Sequence, residues 1–191
     1  MLLKIVGDPR YTEGLTYGKP RKGHAEGTVA KHLLDLEANL EILYAWRPAL
    51  ITDAEYWKLK ILIHVHDTFK LEGKRLTGHQ VSIRHPQSHA SLARNFLAEF
   101  TDDEELLSIV QFHDEGHALW KKWQKKGVYD QRRLGEALSR IPNTDLYLIF
   151  TILDGYTPSK LEDRTPRWFV HEVNKITKTP RAYHVLEVFG V

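Results

Sequence analysis

Residues 61–70 read ILIHVHDTFK, an apolar run that ends in His66, Asp67 and Lys70. Burying imidazole, carboxylate and ammonium groups is costly unless they are paired, hydrogen-bonded or bound to a metal. The stretch therefore predicts a buried helix whose end delivers ligands to a site. The His-Asp pair alone is weak evidence, because short motifs arise by chance and a second pair, His113-Asp114, follows further along the chain.

The composition is typical of a folded globular protein. Hydrophobic residues make up 42% of the 191 residues and charged residues 27%, which favours a single domain over residues 1–191. No apolar run approaches the roughly 20 residues of a membrane span, and the opening MLLKIVG is too short for a secretory signal. We therefore expect a cytoplasmic protein without membrane contact. The net charge of +2 gives no argument for nucleic acid as a partner.

The chain contains no cysteine and 11 histidines. Without cysteine there are no disulfides, no thiolate nucleophiles and no cysteine-ligated zinc sites. Imidazole and carboxylate groups are then the strong metal ligands available. A metal site in this chain would be built from His, Asp and Glu.

Apolar residues recur at three- and four-residue spacing through most of the chain, which predicts an all-α fold. Thr52 with Glu55 and Thr101 with Glu104 are typical of capping boxes that open helices. We expect a single-domain helical bundle with a short strand at the N-terminus, and a tail over residues 183–191 that is either a short strand or folds back on the body. The turn-rich residues 7–27 are predicted to form a long loop that covers a site as a lid. The predicted helices cover residues 28–46, 52–67, 85–97, 101–120, 130–141, 145–153 and 165–175.

Six polar side chains lie on or beside the apolar faces of these predicted helices. Inward-facing His and carboxylate groups on separate helices build metal sites in helical bundles. Such a set suits Mn, Fe, Co, Ni, Zn or Mg, since it contains no thiolate. The six residues are His32, His66, Asp67, His85, His113 and Asp154.

The order of these residues resembles the HD superfamily of metal-dependent phosphohydrolases. The resemblance spans residues 24–176 and includes Lys70, three residues after Asp67. Around His85 it extends to His89, Ala90 and Ala93, where family members often have a small residue followed by alanines.

The resemblance implies an HD-type bundle that binds one or two divalent metal ions. His32, His66, Asp67 and Asp154 would be the core ligands, with Asp67 able to bridge two ions. A second ion would be held by His85 and His113.

The same resemblance implies catalysis by metal-activated water on a phosphoester of a small molecule, with a nucleotide as one candidate. Asp67 and Lys70 would be the catalytic residues. We expect Lys70, Arg84, His89 and His117 to contact the substrate, because cationic groups bind phosphate.

Two departures from the family pattern leave other functions open. Phe69 stands where the family commonly has Gly, and Pro86 stands where an acidic residue often follows the third His. An oxygenase with two irons on the same fold, or a metal- or ligand-binding module without catalysis, are the alternatives. The spacing of His113 and His117 resembles a zinc-protease motif, but Asp114 stands where that motif needs Glu. The basic residues 121–126 favour a solvated surface over a nucleic-acid site.

Overall fold

The computed structural model describes residues 1–21, 25–79, 81–160 and 164–190. Within these ranges the regular secondary structure is helical and contains no β-strand, so the predicted all-α fold is confirmed. Short 3-10 turns lie at Pro48–Leu50 and Pro158–Lys160. The α-helices are α1 (Leu2–Val6), α2 (Pro9–Leu15), α3 (Val29–Trp46), α4 (Asp53–Val65), α5 (Lys70–Thr77), α6 (His89–Ala98), α7 (Glu104–Phe112), α8 (Glu115–Lys126), α9 (Gln131–Leu138), α10 (Thr144–Gly155), α11 (Thr165–Asn174) and α12 (Pro180–Val188).

Helix α10 lies at the centre of the core. Each of its residues from Leu146 to Leu153 is buried, and helices α3, α4, α11 and α12 pack against it. Asn143 caps the first turn by accepting a hydrogen bond from the backbone N–H of Leu146. Burying a large aliphatic side chain stabilises a fold by about 1.5–3 kcal/mol. Asp154 is therefore presented from the end of a helix that the core holds firmly.

Two N-terminal expectations, the strand and the uninterrupted loop, are wrong. Residues 2–6 form helix α1 rather than a strand, and α2 occupies part of the predicted loop 7–27. Asp8 caps α2 by accepting from the N–H of Arg10, and Pro9 takes the first helical position, where its missing N–H costs nothing. Residues 22–24, in the same predicted loop and at the start of the motif-bearing region, lie outside the described residues.

Of the two alternatives for the C-terminal tail, the strand is wrong, because residues 180–188 form α12, which packs back on the body. Pro180 starts the helix, and the buried residues Ala182, Val185 and Leu186 follow at three- and four-residue spacing. This apolar stripe faces α10 and α3. Packing against the core therefore decides the conformation of this segment.

Two predicted helix boundaries move in ways that matter for the site. The first capping box, at Thr52, is confirmed, but the N-cap of α7 is Asp103 rather than Thr101. The single helix predicted for residues 101–120 is broken at His113 and Asp114, where α7 ends and α8 begins. Among the described residues, no helix combines the length and apolar character that crossing a membrane requires.

Candidate metal centre

The turn that follows α4 points the ring of His66 into the protein. His66 is the C-cap of the helix and keeps helical dihedral angles, with φ −52° and ψ −42°. Its Nδ1 lies 2.9 Å from the carbonyl oxygen of Ile63. Because a carbonyl accepts only, Nδ1 carries the proton and Nε2 keeps its lone pair. Nε2 is buried and has no hydrogen-bond partner within the described part of the chain.

The turn that follows α7 repeats this arrangement with His113. The residue caps α7 with φ −54° and ψ −38°, and its Nδ1 donates to the carbonyl oxygen of Val110 at 2.7 Å. The rings of His113 and His66 meet edge to face, with centroids 5.2 Å apart. Two turns therefore direct two imidazoles to the same place.

A first group of ligand atoms consists of His32, His66 and Asp154, whose donor atoms lie within 4.8 Å of one another. His32 projects from α3, and its Nε2 is 2.9 Å from Asp154 Oδ1. Asn39, two turns further along α3, donates to the carbonyl oxygens of Leu153 and Tyr156, each at 2.9 Å. Helix α3 thus supplies one ligand and also holds the end of the helix that supplies another.

A second group consists of Asp67, His89 and His113, again within 4.8 Å. His89 is the first residue of α6, and its Nε2 lies 3.2 Å from His113 Nε2. Asp67 Oδ1 is 3.5 Å from His113 Nε2 and 3.8 Å from His89 Nε2. One carboxylate and two imidazoles therefore face one another.

Asp67 lies between the two groups. Its Oδ2 is 3.5 Å from His66 Nε2 and 3.8 Å from His32 Nε2, while its Oδ1 faces the second group. Lys70, in the first turn of α5, forms an ion pair with Oδ2. A carboxylate with one oxygen toward each group has the arrangement of a bridging ligand.

Neighbouring cations keep both site carboxylates ionised. Burial opposes ionisation of Asp67, but Lys70 and the neighbouring histidines together outweigh it and hold the pKa well below its usual range. Burial acts in the same way on Asp154, where Lys160, 3.2 Å from Oδ1, acts together with the two histidines of the first group to hold the pKa well below its usual range. Both groups therefore offer anionic oxygens at neutral pH.

The imidazoles divide into neutral and charged members. Burial lowers the pKa of His66 and that of His89 to about 4. Burial also acts downward on His113, but the carboxylates of Asp114 and Asp67 outweigh it and raise its pKa to about 9. In the protein without metal, His113 is thus protonated at neutral pH and donates toward the lone pair of His89.

The residues present fit a divalent metal ion in each group. Imidazole nitrogens and carboxylate oxygens are ligands for such ions, and the second ring nitrogen of His66 and His113 is fixed by a carbonyl, as in many metal sites. The strongest single observation is the buried Nε2 of His66, whose lone pair meets no donor. A metal ion would satisfy it.

The structure does not bring His85 to this centre. Helix α6 starts at His89 rather than at His85, because Ser88 caps it by accepting from the N–H of Ser91. His85 is exposed, and its Nδ1 accepts from the N–H of Gln87. The position that the sequence predicted for His85 is occupied by His89, which was expected to contact the substrate.

Arg84 is also placed elsewhere. Its guanidinium pairs with Glu136 at 3.0 Å and donates to the carbonyl oxygen of Arg133, so it lies against α9 and does not line the cleft. His117 does line the cleft, as a substrate contact would.

A cleft of about 1140 Å³ opens onto both groups. Helix α5 can approach α6 closely at its rim because residue 73 is Gly; a Cβ there would lie 3.0 Å from the backbone nitrogen of His89. The basic and acidic residues that line the cleft, apart from histidines, are Arg21, Asp67, Lys70, Lys74, Asp114, Lys121, Asp154 and Lys160.

The two departures noted in the sequence lie away from the centre. Phe69 is 8% exposed and packs against Phe96 with ring centroids 5.0 Å apart, so its ring fills the core rather than the cleft. Pro86 is exposed in the segment before α6. Neither side chain narrows the approach to Asp67.

Sequence reasoning missed two residues of the centre. Asp114 Oδ2 lies 3.4 Å from His89 Nε2, and the repeated His-Asp pair was the signal that pointed to it. Lys160 contacts Asp154 across six positions of sequence, and no sequence pattern marks it. Comparisons with known proteins add no assignment: no family model, curated protein or solved structure matches this chain.

Proposed function

We propose that this chain is a metal-dependent phosphohydrolase that cleaves a phosphoester of a small molecule such as a nucleotide. The observation that carries the proposal is the position of Asp67, with one carboxylate oxygen toward each of two ligand groups at the floor of a large cleft. The ordered resemblance to the HD superfamily supports the same function.

Each ligand group has its own part in this proposal. His32, His66 and Asp154 would hold one divalent ion, and Asp67, His89 and His113 would hold a second. When bound, such ions polarise a phosphoryl oxygen and lower the pKa of a water molecule, supplying a nucleophile near neutral pH. His113 must lose the proton on its Nε2 before it can act as a ligand, so binding at the second group releases a proton.

Lys70 and Asp114 supply charge beside the reacting group. Burial acts to lower the pKa of Lys70, but Asp67 and Asp114 raise it, so the ammonium stays charged and neutralises a bound phosphate. Burial opposes ionisation of Asp114, yet His113 and His89 hold its pKa below its usual range. Its carboxylate faces the cleft and is available to accept a proton from an attacking water.

The test is to compare Asp67→Ala with Asp102→Ala, an exposed carboxylate that does not line the cleft. Metal content is measured by elemental analysis, and phosphate release is measured on a panel of phosphoesters. We expect Asp67→Ala to lose both metal and turnover and Asp102→Ala to keep both. Full turnover in Asp67→Ala would contradict the proposal.

An oxygenase with two irons is the second candidate. Four of the six residues in the two ligand groups are histidines, and imidazole suits iron as well as zinc or manganese. Oxygen uptake by iron-loaded protein, with no phosphate released from any ester, would favour this candidate over hydrolysis.

A further inference from the structure

The cationic side chains of the cleft fall into two kinds. Lys70 and Lys160 form ion pairs with the site carboxylates Asp67 and Asp154. Lys74 and Lys121 also line the cleft, but neither has an ion-pair partner among the residues that the structure describes. Their positive charges are therefore not neutralised by a carboxylate of the described residues.

The two unpaired lysines extend rows of residues that begin at the ligand groups. Lys74 lies one helical turn after Lys70 on α5, and Lys121 lies one turn after His117 on α8, the helix that follows the turn of His113. At 1.5 Å per residue, each of these steps corresponds to about 6 Å along its helix. Both rows lead from the metal centre along the walls of one cleft.

Like charges that face a shared cleft repel one another and attract anions. Elsewhere in the described chain, basic side chains beside a carboxylate pair with it, as Lys58 does with Asp103 and Arg181 with Glu55. In the cleft the only described carboxylate outside the ligand groups is Asp114, which lies beside His89. The outer part of the cleft is therefore cationic without an internal counter-charge.

We propose that Lys74 and Lys121 form a second anion subsite, and that the substrate carries a second phosphate group about 6 Å or more from the reacting one. The identity of the reacting group rests on the proposed function, whereas the subsite rests on the cleft itself. Arg21, contributed by the N-terminal segment, adds a further positive charge to the same cleft.

The first measurement is of binding, with hexanediol bisphosphate and hexyl phosphate as a pair of probes that differ by one phosphate. Calorimetry is carried out on the full chain in EDTA, so that turnover does not consume the probes. We expect the bisphosphate to bind more tightly, and the double variant Lys74→Gln/Lys121→Gln to lose about tenfold or more of that affinity. Affinity for hexyl phosphate should stay within about twofold, because its single phosphate leaves the subsite empty.

Lys126→Gln is the matched control, since Lys126 is an exposed lysine of α8 that does not line the cleft. It should leave the binding of both probes unchanged. Equal affinity of the unmodified chain for the two probes, or an equal loss for both in the double variant, would overturn the subsite. Tighter binding of a single-stranded oligonucleotide than of the bisphosphate would overturn its assignment to a small molecule.

The second measurement is of phosphate release from the same two esters by the protein as purified. We expect the double variant to lower kcat/KM for the bisphosphate through KM, and to leave kcat/KM for hexyl phosphate unchanged. If neither ester releases phosphate while the binding difference holds, the subsite stands and the phosphohydrolase proposal loses support. The two ideas can therefore fail separately.

Discussion

The turns at His66-Asp67 and His113-Asp114 have the same local structure in two parts of the chain. Each ends a buried helix, and in each the His ring donates from Nδ1 to a carbonyl three residues back. Both rings then point Nε2 into the same space. A short backbone pattern, used twice, is enough to aim two imidazoles at one centre.

The carboxylates that follow have different surroundings. Asp67 has 6% of its side chain exposed and lies between the two ligand groups, whereas Asp114 has 31% exposed and faces the cleft. The histidines differ as well, since the pKa of His66 is lowered and that of His113 is raised. Because the local geometry of the two turns is the same, the surrounding charges decide the role of each residue.

Replacing the carboxylate of each turn is the most direct way to distinguish the functions of the two turns. Asp67→Asn replaces one of the two carboxylate oxygens that face the ligand groups and removes the negative charge, so we expect metal content and phosphate release to fall below detection. Asp114→Asn should keep its metal and lose turnover by about 10²–10⁴-fold, the usual contribution of a positioned base. Elemental analysis and a phosphate assay on both variants test this. Loss of metal from Asp114→Asn would make its carboxylate a ligand instead.

A glycine that packs against the first turn and one that follows the second turn in α8 should differ in how well they tolerate a Cβ. A Cβ on Gly14 would lie 1.9 Å from the carbonyl oxygen of Thr68, a backbone atom, whereas one on Gly116 would meet the ring of Phe169 at 2.9 Å. We expect Gly14→Ala to destabilise the fold by about 4 kcal/mol or more and Gly116→Ala by about 1–3 kcal/mol.

Gly135, in α9, is the control for these two variants, since a Cβ there meets nothing within 4 Å. Gly135→Ala should stabilise the protein by about 0.5–1 kcal/mol, because Ala loses less backbone entropy in a helix. Urea unfolding measures all three. Equal effects of Gly14→Ala and Gly116→Ala would show that α2 does not brace the first turn.

The two histidines should give the metal-free protein opposite pH dependences. His66 has its pKa lowered from 6.5 to about 4, so its contribution to stability is present above pH 6.5 and is lost as the pH falls toward 4. His113 has its pKa raised from 6.5 to about 9, so its contribution is present below pH 6.5 and is lost as the pH rises toward 9. Each contribution is at most about 3 kcal/mol.

Urea unfolding in EDTA across this pH range measures both slopes. His66→Gln should flatten the acid side of the profile, and His113→Gln should flatten the alkaline side. A His113→Gln profile that keeps its alkaline slope would contradict the raised pKa.

The smallest expected effect concerns the assignment of His89 in place of His85. Removing the imidazole of His89 by His89→Ala should weaken binding of a metal ion at the second group by at least the roughly 10–100-fold that losing a hydrogen-bond partner of a ligand costs. His85→Ala should leave both metal ions in place, because His85 is exposed outside the centre. Titration of each variant with Mn or Zn gives the affinities. A loss in His85→Ala equal to that in His89→Ala would restore the sequence-based assignment.

Sequence patterns predicted the structure best where the apolar spacing and the capping residues of a helix lie within the helix itself. The apolar spacing of α3, the capping box of α4 and the continuous burial of α10 were all readable, and they brought His32, His66 and Asp154 into one group. The pairing of Asp67 with His66 at the end of the buried run was readable for the same reason.

The sequence-based predictions of helix boundaries failed where neighbouring residues gave competing signals. Pro86 and Ser88 both favour a helix start, and the side-chain hydrogen bond of Ser88 to the backbone decides the boundary. The break at His113 leaves apolar spacing intact on both sides, so periodicity continues across it. Asp8-Pro9 and Thr179-Pro180 mark the starts of α2 and α12. Neither helix was predicted, because the surrounding residues favour turns. The cationic cleft is formed by residues that are far apart in the sequence, so no local sequence pattern predicts it.

The two hydrogen bonds of Asn39 have a consequence for the free energy of metal binding. His32 and Asn39 are seven residues apart on α3, two turns along one face, and together they touch three points at the end of α10. Sliding either helix past the other would break these contacts together. The first ligand group is therefore preorganised by folding, and binding an ion there costs little ordering entropy.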